Sequence, residues 1–302
     1  MSAWAAQILG GDVRALARAA SAIENRRPEA VALMQELFPR TGRAALIGVT
    51  GASGAGKSTL VDQLARGLRD QGRTVGILAV DPTSPFTGGA ILGDRIRMQQ
   101  HHADAGVFIR SMASRGALGG LAAATTDLAL LLDAAGKDVV LIETVGVGQD
   151  EVEVARLADL TILVLVPGMG DDVQSMKAGI MEIADIFVIN KADRPGVDTL
   201  EREVQAMLGL AAQTGDWRPP ILKVVATEGK GIDALLEAVR SFQESGAKRN
   251  RRAQMWCLRL REMLRERLLE RVPTGELEAA AEEVAARRRD PYSVIDEWLK
   301  RI

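Results

Sequence analysis

Cysteine occurs once in this chain, at Cys257, so no internal disulfide framework is possible and the fold must rest on its apolar core. Cys257 lies within a helical pattern, where it reads as a small buried hydrophobe and not as a reactive thiol. Histidine is almost as scarce. His101 and His102 are adjacent, so they point to different faces of a helix, and no Cys or further His lies near them. That is poor provision for a zinc or nickel centre of imidazole and thiolate ligands and argues against one. Apolar runs never exceed strand length and no leader pattern opens the chain, which argues against secretion and membrane spanning and for a cytoplasmic protein. A net charge of −2 gives no general attraction for nucleic acid or an anionic membrane. The basic run Lys248, Arg249, Arg251, Arg252 has no interleaved aromatics and reads as a solvated helix start. Internal repeats and low-complexity tracts are absent too.

What is present is a chain of 302 residues, 47% hydrophobic and 26% charged, enough for one large α/β domain with helical additions. β-type runs at 44–50, 74–80, 106–110, 138–143, 160–166, 186–189 and 221–225 alternate with helical patterns. Several are nearly continuous Val, Ile and Leu, which predicts a parallel sheet buried on both faces, with functional residues at the carboxyl ends of its strands. Residues 43–245 form this domain by expectation, 1–42 an N-terminal helical extension and 246–302 a C-terminal helical arm. In the first extension Trp4, Ile8, Val13, Leu16, Ala20 and Ile23 recur at helical spacing, and Pro28 opens a second helix through Leu37. In the arm Trp256, Leu260, Met263, Leu264 and Leu268 make an apolar stripe that Pro273 ends, to be covered by the same chain or by a second subunit.

The segment Gly51-Ala52-Ser53-Gly54-Ala55-Gly56-Lys57-Ser58 follows the first run directly and reads G-x-x-x-x-G-K-S. Its glycines let backbone N–H groups converge on phosphates, Lys57 reaches the terminal phosphate oxygens, and Ser58 can ligate Mg²⁺. A helix from Ser58 to about Arg69, with Thr59 in its first turn, points its positive end at the same anion. Asn190-Lys191-Ala192-Asp193 ends the sixth run and reads N-K-x-D. A carboxylate there accepts two hydrogen bonds from the N1–H and N2 amine of guanine, whereas adenine would leave it unpaired at a cost of about 1–3 kcal/mol. GTP is therefore favoured over ATP.

Between these motifs lie candidates for nucleotide sensing. Asp81 ends the second strand before Pro82, placing a carboxylate near the metal, and Asp94 follows a Gly-rich stretch that either closes over the phosphates or simply caps a helix. Glu143-Thr144-Val145-Gly146-Val147-Gly148-Gln149 closes the fourth strand. Gly146 is placed to donate its N–H to the γ-phosphate, and Glu143 stands where common GTPases carry the Asp of D-x-x-G, to act on the metal directly or through a bound water.

Taken with Phe108-Ile109-Arg110, Ser114-Arg115-Gly116 and the stretch 170–185, these segments resemble in order and spacing the MeaB/ArgK family, the GTPase chaperones of adenosylcobalamin-dependent acyl-CoA mutases. The resemblance runs from about Asp12 to Asp233 and more loosely beyond. It implies a homodimeric GTPase whose nucleotide state gates cobalamin delivery to a mutase of the methylmalonyl-CoA type, with no cobalamin site of its own identified. It also implies that Lys57 and Ser58 hold phosphate and Mg²⁺, that Asp81, Asp94 and Glu143 form the acidic set around the metal, and that Asn190, Lys191 and Asp193 read guanine. Asp171, Asp172, Gln174 and Lys177 fall in the loop by which the family senses its partner. Two departures stand out: the phosphate loop lacks the proline often found there, and Ala226-Thr227 replaces the usual Ser-Ala contact to guanine O6. A P-loop small-molecule kinase or ATPase and a non-hydrolysing nucleotide-dependent scaffold are the other readings of the same motifs.

Overall fold

The computed structural model describes residues 1–81, 101, 104–113, 120–144, 157–168, 184–210, 217–246 and 248–301. The chain divides into two compact units, Met1–Arg252 and Ala253–Ile302. In the first, β1 (Ala45–Thr50), β2 (Val75–Asp81), β3 (Val107–Ala113), β4 (Val139–Thr144), β5 (Leu160–Leu165), β6 (Ile186–Asn190) and β7 (Ile221–Val224) form one sheet in the order β3-β2-β4-β1-β5-β6-β7. Every neighbouring pair is parallel. All seven runs read as strands are strands. The largest difference is β3, which continues to Ala113 because its ladder with β2 extends through Ala79 level with Ser111 and Asp81 level with Ala113. Backbone pairing is indifferent to the polar side chain of Ser111.

β1, β4, β5 and β6 are buried at every position, which explains their unbroken Val/Ile/Leu content. Alternation then sorts the residues by face. Leu46, Leu78, Val80, Val140 and Ile142 pack under α1 (Ala3–Leu9), α2 (Val13–Glu24), α3 (Pro28–Leu37) and α5 (Gly120–Ala134). Ile47, Val49, Leu141, Ile162 and Val164 pack under α4 (Lys57–Asp70) and α7 (Ile232–Glu244). Leu163, Leu165, Phe187 and Ile189 pack under α6 (Val197–Leu210).

The N-terminal stretch is two helices where its periodicity predicts one. Gly10 and Gly11 interrupt it, Gly11 at φ 84°, and Asp12 restarts the helix by accepting the N–H groups of Arg14 and Ala15. A bidentate pair ties α2 to the edge strand β3: Arg110 donates from Nε and Nη2 to the two carboxylate oxygens of Glu24, at 2.6 Å each. At the amino ends of the strands, aspartates fix the incoming chain. Asp133 accepts the N–H groups of Gly42, Arg43 and Ala44, Asp159 that of Leu46, and Asp185 that of Thr161. Each spares a buried backbone donor from going unpaired where no ladder reaches it.

Helix α8 (Lys248–Leu269) begins before the second unit, which continues with α9 (Thr274–Ala285) and α10 (Pro291–Arg301). Its core is small: Ala280, Val294 and Trp298, with Val272 and Val284 beside them. Of the predicted stripe on α8, Leu260, Met263 and Leu264 are exposed. Cys257 is exposed as well, which corrects its reading as a buried hydrophobe. Trp256 and Leu268 of the same stripe are half-buried. Helical periodicity locates a residue on a face without fixing what covers it. Among the described residues no helix is long and apolar enough to cross a membrane.

Candidate functional site

β1 delivers the chain to the phosphate loop at the centre of the sheet. Gly51 has φ 139°, and a Cβ there would sit 2.2 Å from the Val164 carbonyl oxygen, so only glycine lets β1 leave its neighbour β5 at this angle. Gly56 has φ 90° and faces the Asn190 side chain, with a Cβ there falling 2.4 Å from Nδ2. Since Gly56 is also the N-cap of α4, no side chain covers the first-turn N–H groups of that helix. Of the loop's predicted members, Ala55 is buried, Ser53 and Gly54 are exposed, and Ser58 and Thr59 are half-buried.

Lys57 is 5% exposed, and its ammonium lies over the loop itself, donating to the carbonyls of Gly51 at 2.7 Å and Ala52 at 2.9 Å. One residue on, Ser58 Oγ donates to Glu143 Oε1 at 2.5 Å. Glu143 is 4% exposed and comes from the end of β4, on the face that packs α4. Lys57 and Ser58, the residue that bonds Glu143, are thus consecutive at the start of α4, beside the carboxyl ends of β1 and β4.

The second motif closes on the same loop. Asn190, buried at the end of β6, donates from Nδ2 to the Ala55 carbonyl at 2.8 Å and accepts the Ala226 N–H at 3.1 Å. Lys191, at φ 56°, turns its Nζ onto the Gly54 carbonyl at 2.8 Å. Ala192 N–H donates to Val224 O at the end of β7. Asn190 and Lys191 therefore clamp the loop to the ends of β6 and β7, and the turn they make leaves Asp193 exposed. Lys230 pairs with Glu228 at 2.6 Å, and this hydrogen bond, with the charges of Glu228 and Asp193, raises its ammonium pKa. Thr227 is exposed in the short 3₁₀ turn Ala226–Glu228.

The structure thus joins the phosphate loop, Glu143, Asn190, Lys191 and Ala226 by direct hydrogen bonds. Asp81 ends β2 as expected, level with Ala113; its side chain, like Asp94, Gly146, Asp171, Asp172, Gln174 and Lys177, lies outside the described residues. His101 is buried with Nε2 2.9 Å from Asp62 Oδ1 on α4, while His102 lies outside the described residues. The sequence reading missed the buried hydroxyl pair Thr50 and Thr144, 3.1 Å apart. Thr50 closes the first run read from the sequence, but Thr144 lies one residue beyond the fourth, so no local signal pairs them.

Comparison with known proteins gives the family of the chain. Residues 16–276 match the family model described as methylmalonyl-CoA mutase-associated GTPase MeaB. A protein of Pyrococcus abyssi named as a GTPase is 47% identical over 311 residues, covering 97% of this chain and 94% of its own. GTPase ArgK of Escherichia coli is 42% identical over 241 residues, covering 77% of this chain and 73% of its own. A crystal structure named LAO/AO transport system kinase superposes with a TM-score of 0.74 at 30% identity, over 98% of this chain and 95% of that one. GTP hydrolysis displaces the non-hydrolysing scaffold as a reading. The chain belongs to the MeaB family of P-loop GTPases.

Proposed function

We propose that this GTPase uses the loop of residues 51–58 for phosphate and Asp193 for guanine, and that its nucleotide state gates cobalamin loading and repair of an adenosylcobalamin-dependent acyl-CoA mutase. The observation that carries the site assignment is the clamp: Asn190 and Lys191 hydrogen-bond to Ala55 and Gly54, so the proposed guanine motif and phosphate loop are joined directly. Binding then proceeds by exchange of partners. Lys57 trades the Gly51 and Ala52 carbonyls for phosphate oxygens, and its charge offsets what builds up on the transferring phosphoryl group. Ser58 and Glu143 bring their oxygens within 2.5 Å of each other, a hard-oxygen pair that suits Mg²⁺, a cation that keeps several waters and takes its other ligands from phosphate. When bound, the cation would supply charge neutralisation for the phosphates, held by Ser58 and Glu143. Asp81 and Asp94 complete the acidic set in this reading, and Gly146 donates its N–H to the γ-phosphate.

The mutase as partner is supported by the description of the family itself. The loop of residues 168–179, with Asp171, Asp172, Gln174 and Lys177, is the proposed partner sensor, and a homodimer formed through residues 246–302 the proposed assembly. Calorimetric titration with GTP, ATP and xanthosine triphosphate tests the base assignment. Asp193→Asn is expected to weaken GTP binding by about 1–3 kcal/mol, roughly five- to over a hundredfold in Kd, and to shift preference toward xanthosine triphosphate. Unchanged GTP affinity would overturn the guanine assignment.

A further inference from the structure

The two ends of the phosphate loop are both held by β4, and by consecutive residues of it. In the ladder between β1 and β4, Val49 is level with Glu143, which makes Thr50 and Thr144 the next pair along. Alternation turns Glu143 toward α4 and Thr144 to the opposite face of the sheet. On the α4 face Glu143 accepts the hydrogen bond of Ser58, the residue that ends the loop. On the other face Thr144 Oγ1 donates to Thr50 Oγ1 at 3.1 Å, one residue before Gly51 opens the loop. Both threonines are buried, at 0% and 1% exposure.

Among the described residues, packing does not call for hydroxyls at these positions. The side chains on this face of β1, β2 and β4 are otherwise Leu46, Leu78, Val80, Val140 and Ile142, and valine has the shape of threonine without the cost of burying an oxygen. A buried hydroxyl kept in such surroundings is stabilising only if its partner stays in place, so the pair fixes a distance that two valines would leave free.

We propose that Thr50 and Thr144 are positioning residues for GTP hydrolysis, setting the start of the phosphate loop against the end of β4 so that Lys57, Ser58 and Glu143 hold one arrangement through phosphoryl transfer. This rests on the reading of residues 51–58 as the GTP phosphate site. Neither hydroxyl touches nucleotide; each acts through the loop. The pair matters more for turnover than for binding, because misplacement by a fraction of an ångström costs little in ground-state contacts and much in the transition state.

Steady-state phosphate release by the full chain, with thermal unfolding of each variant in parallel, tests this. Thr144→Val is expected to lower kcat roughly tenfold while KM for GTP stays within about twofold, and Thr144→Ser to recover most of the loss. Thr50→Val is expected to match Thr144→Val, and the double valine variant to be no worse than either alone, since all three remove the same bond. Wild-type kcat in Thr144→Val, equal losses in kcat and apparent affinity, or no recovery with serine each overturn the inference. Failure of both valine variants to fold also overturns it, by assigning the pair to stability. Lys57→Ala separates the two levels: if it keeps turnover, the phosphate-site reading fails, and if it is inactive while Thr144→Val is unimpaired, only the positioning role fails.

Discussion

Gly56 and the Asn190 amide occupy each other's space, and this contact makes the junction of the two motifs testable with a single methyl group. Gly56→Ala places a Cβ where Asn190 Nδ2 lies and holds alanine at φ 90°. The backbone term alone costs about 1–2 kcal/mol, and the displaced amide surrenders its bond to Ala55 as well. The variant is expected to melt several degrees below the wild type and to lose measurable GTP binding; wild-type binding by calorimetry contradicts the clamp. Lys57→Ala is expected to abolish measurable phosphate release, because the ammonium that lies over the loop is the charge proposed to offset what builds up on the transferring group. ATP hydrolysed as fast as GTP by the wild type would contradict the reading of Asp193.

At the scale of elements, aspartates at the amino ends of the strands organise the sheet far from the chemistry. Asp133 satisfies three backbone N–H groups where the chain enters β1, so Asp133→Ala is expected to cost about 2–4 kcal/mol, read as a lower urea midpoint with kcat preserved in the folded fraction. Asp104 offers a test in pH. Its hydrogen bonds from Arg69, and then from the Gly106 N–H, hold its carboxyl below the ordinary value of about 3.9. A depressed folded-state pKa contributes stability that is complete above the unfolded value and is lost as pH falls through the folded one. Asp104→Asn is therefore expected to lose less stability than the wild type between about pH 5 and pH 3. Equal slopes in denaturant midpoints over that range contradict the assignment. The strands were legible because burial on both faces writes itself as unbroken Val, Ile and Leu, and the loop because glycine positions are dictated by backbone geometry. The break at Gly10-Gly11 was not, since the apolar spacing carries across it, and neither was the work of Asn190 and Lys191 on the loop. Side chains that hold a backbone carbonyl 135 or more residues away leave no local pattern.

For the molecule as a whole, the second unit carries its own small core and an α8 face with Leu260 at 60% and Leu264 at 61% exposure, one turn apart. Covering that face with a second copy is the proposed assembly, and Leu260→Glu with Leu264→Glu is expected to give monomers in sedimentation velocity where the wild type gives dimers. Monomeric wild type at micromolar concentration contradicts it. The central claim is that hydrolysis at the clamped loop is read by a mutase. It is tested most directly by phosphate release from GTP, measured for the purified chain alone and with its organism's adenosylcobalamin-dependent acyl-CoA mutase. The account predicts slow release alone, several-fold faster release with the mutase, and none in Lys57→Ala under either condition. Release that the mutase leaves unchanged, with no complex between the two proteins in any nucleotide state, would contradict it.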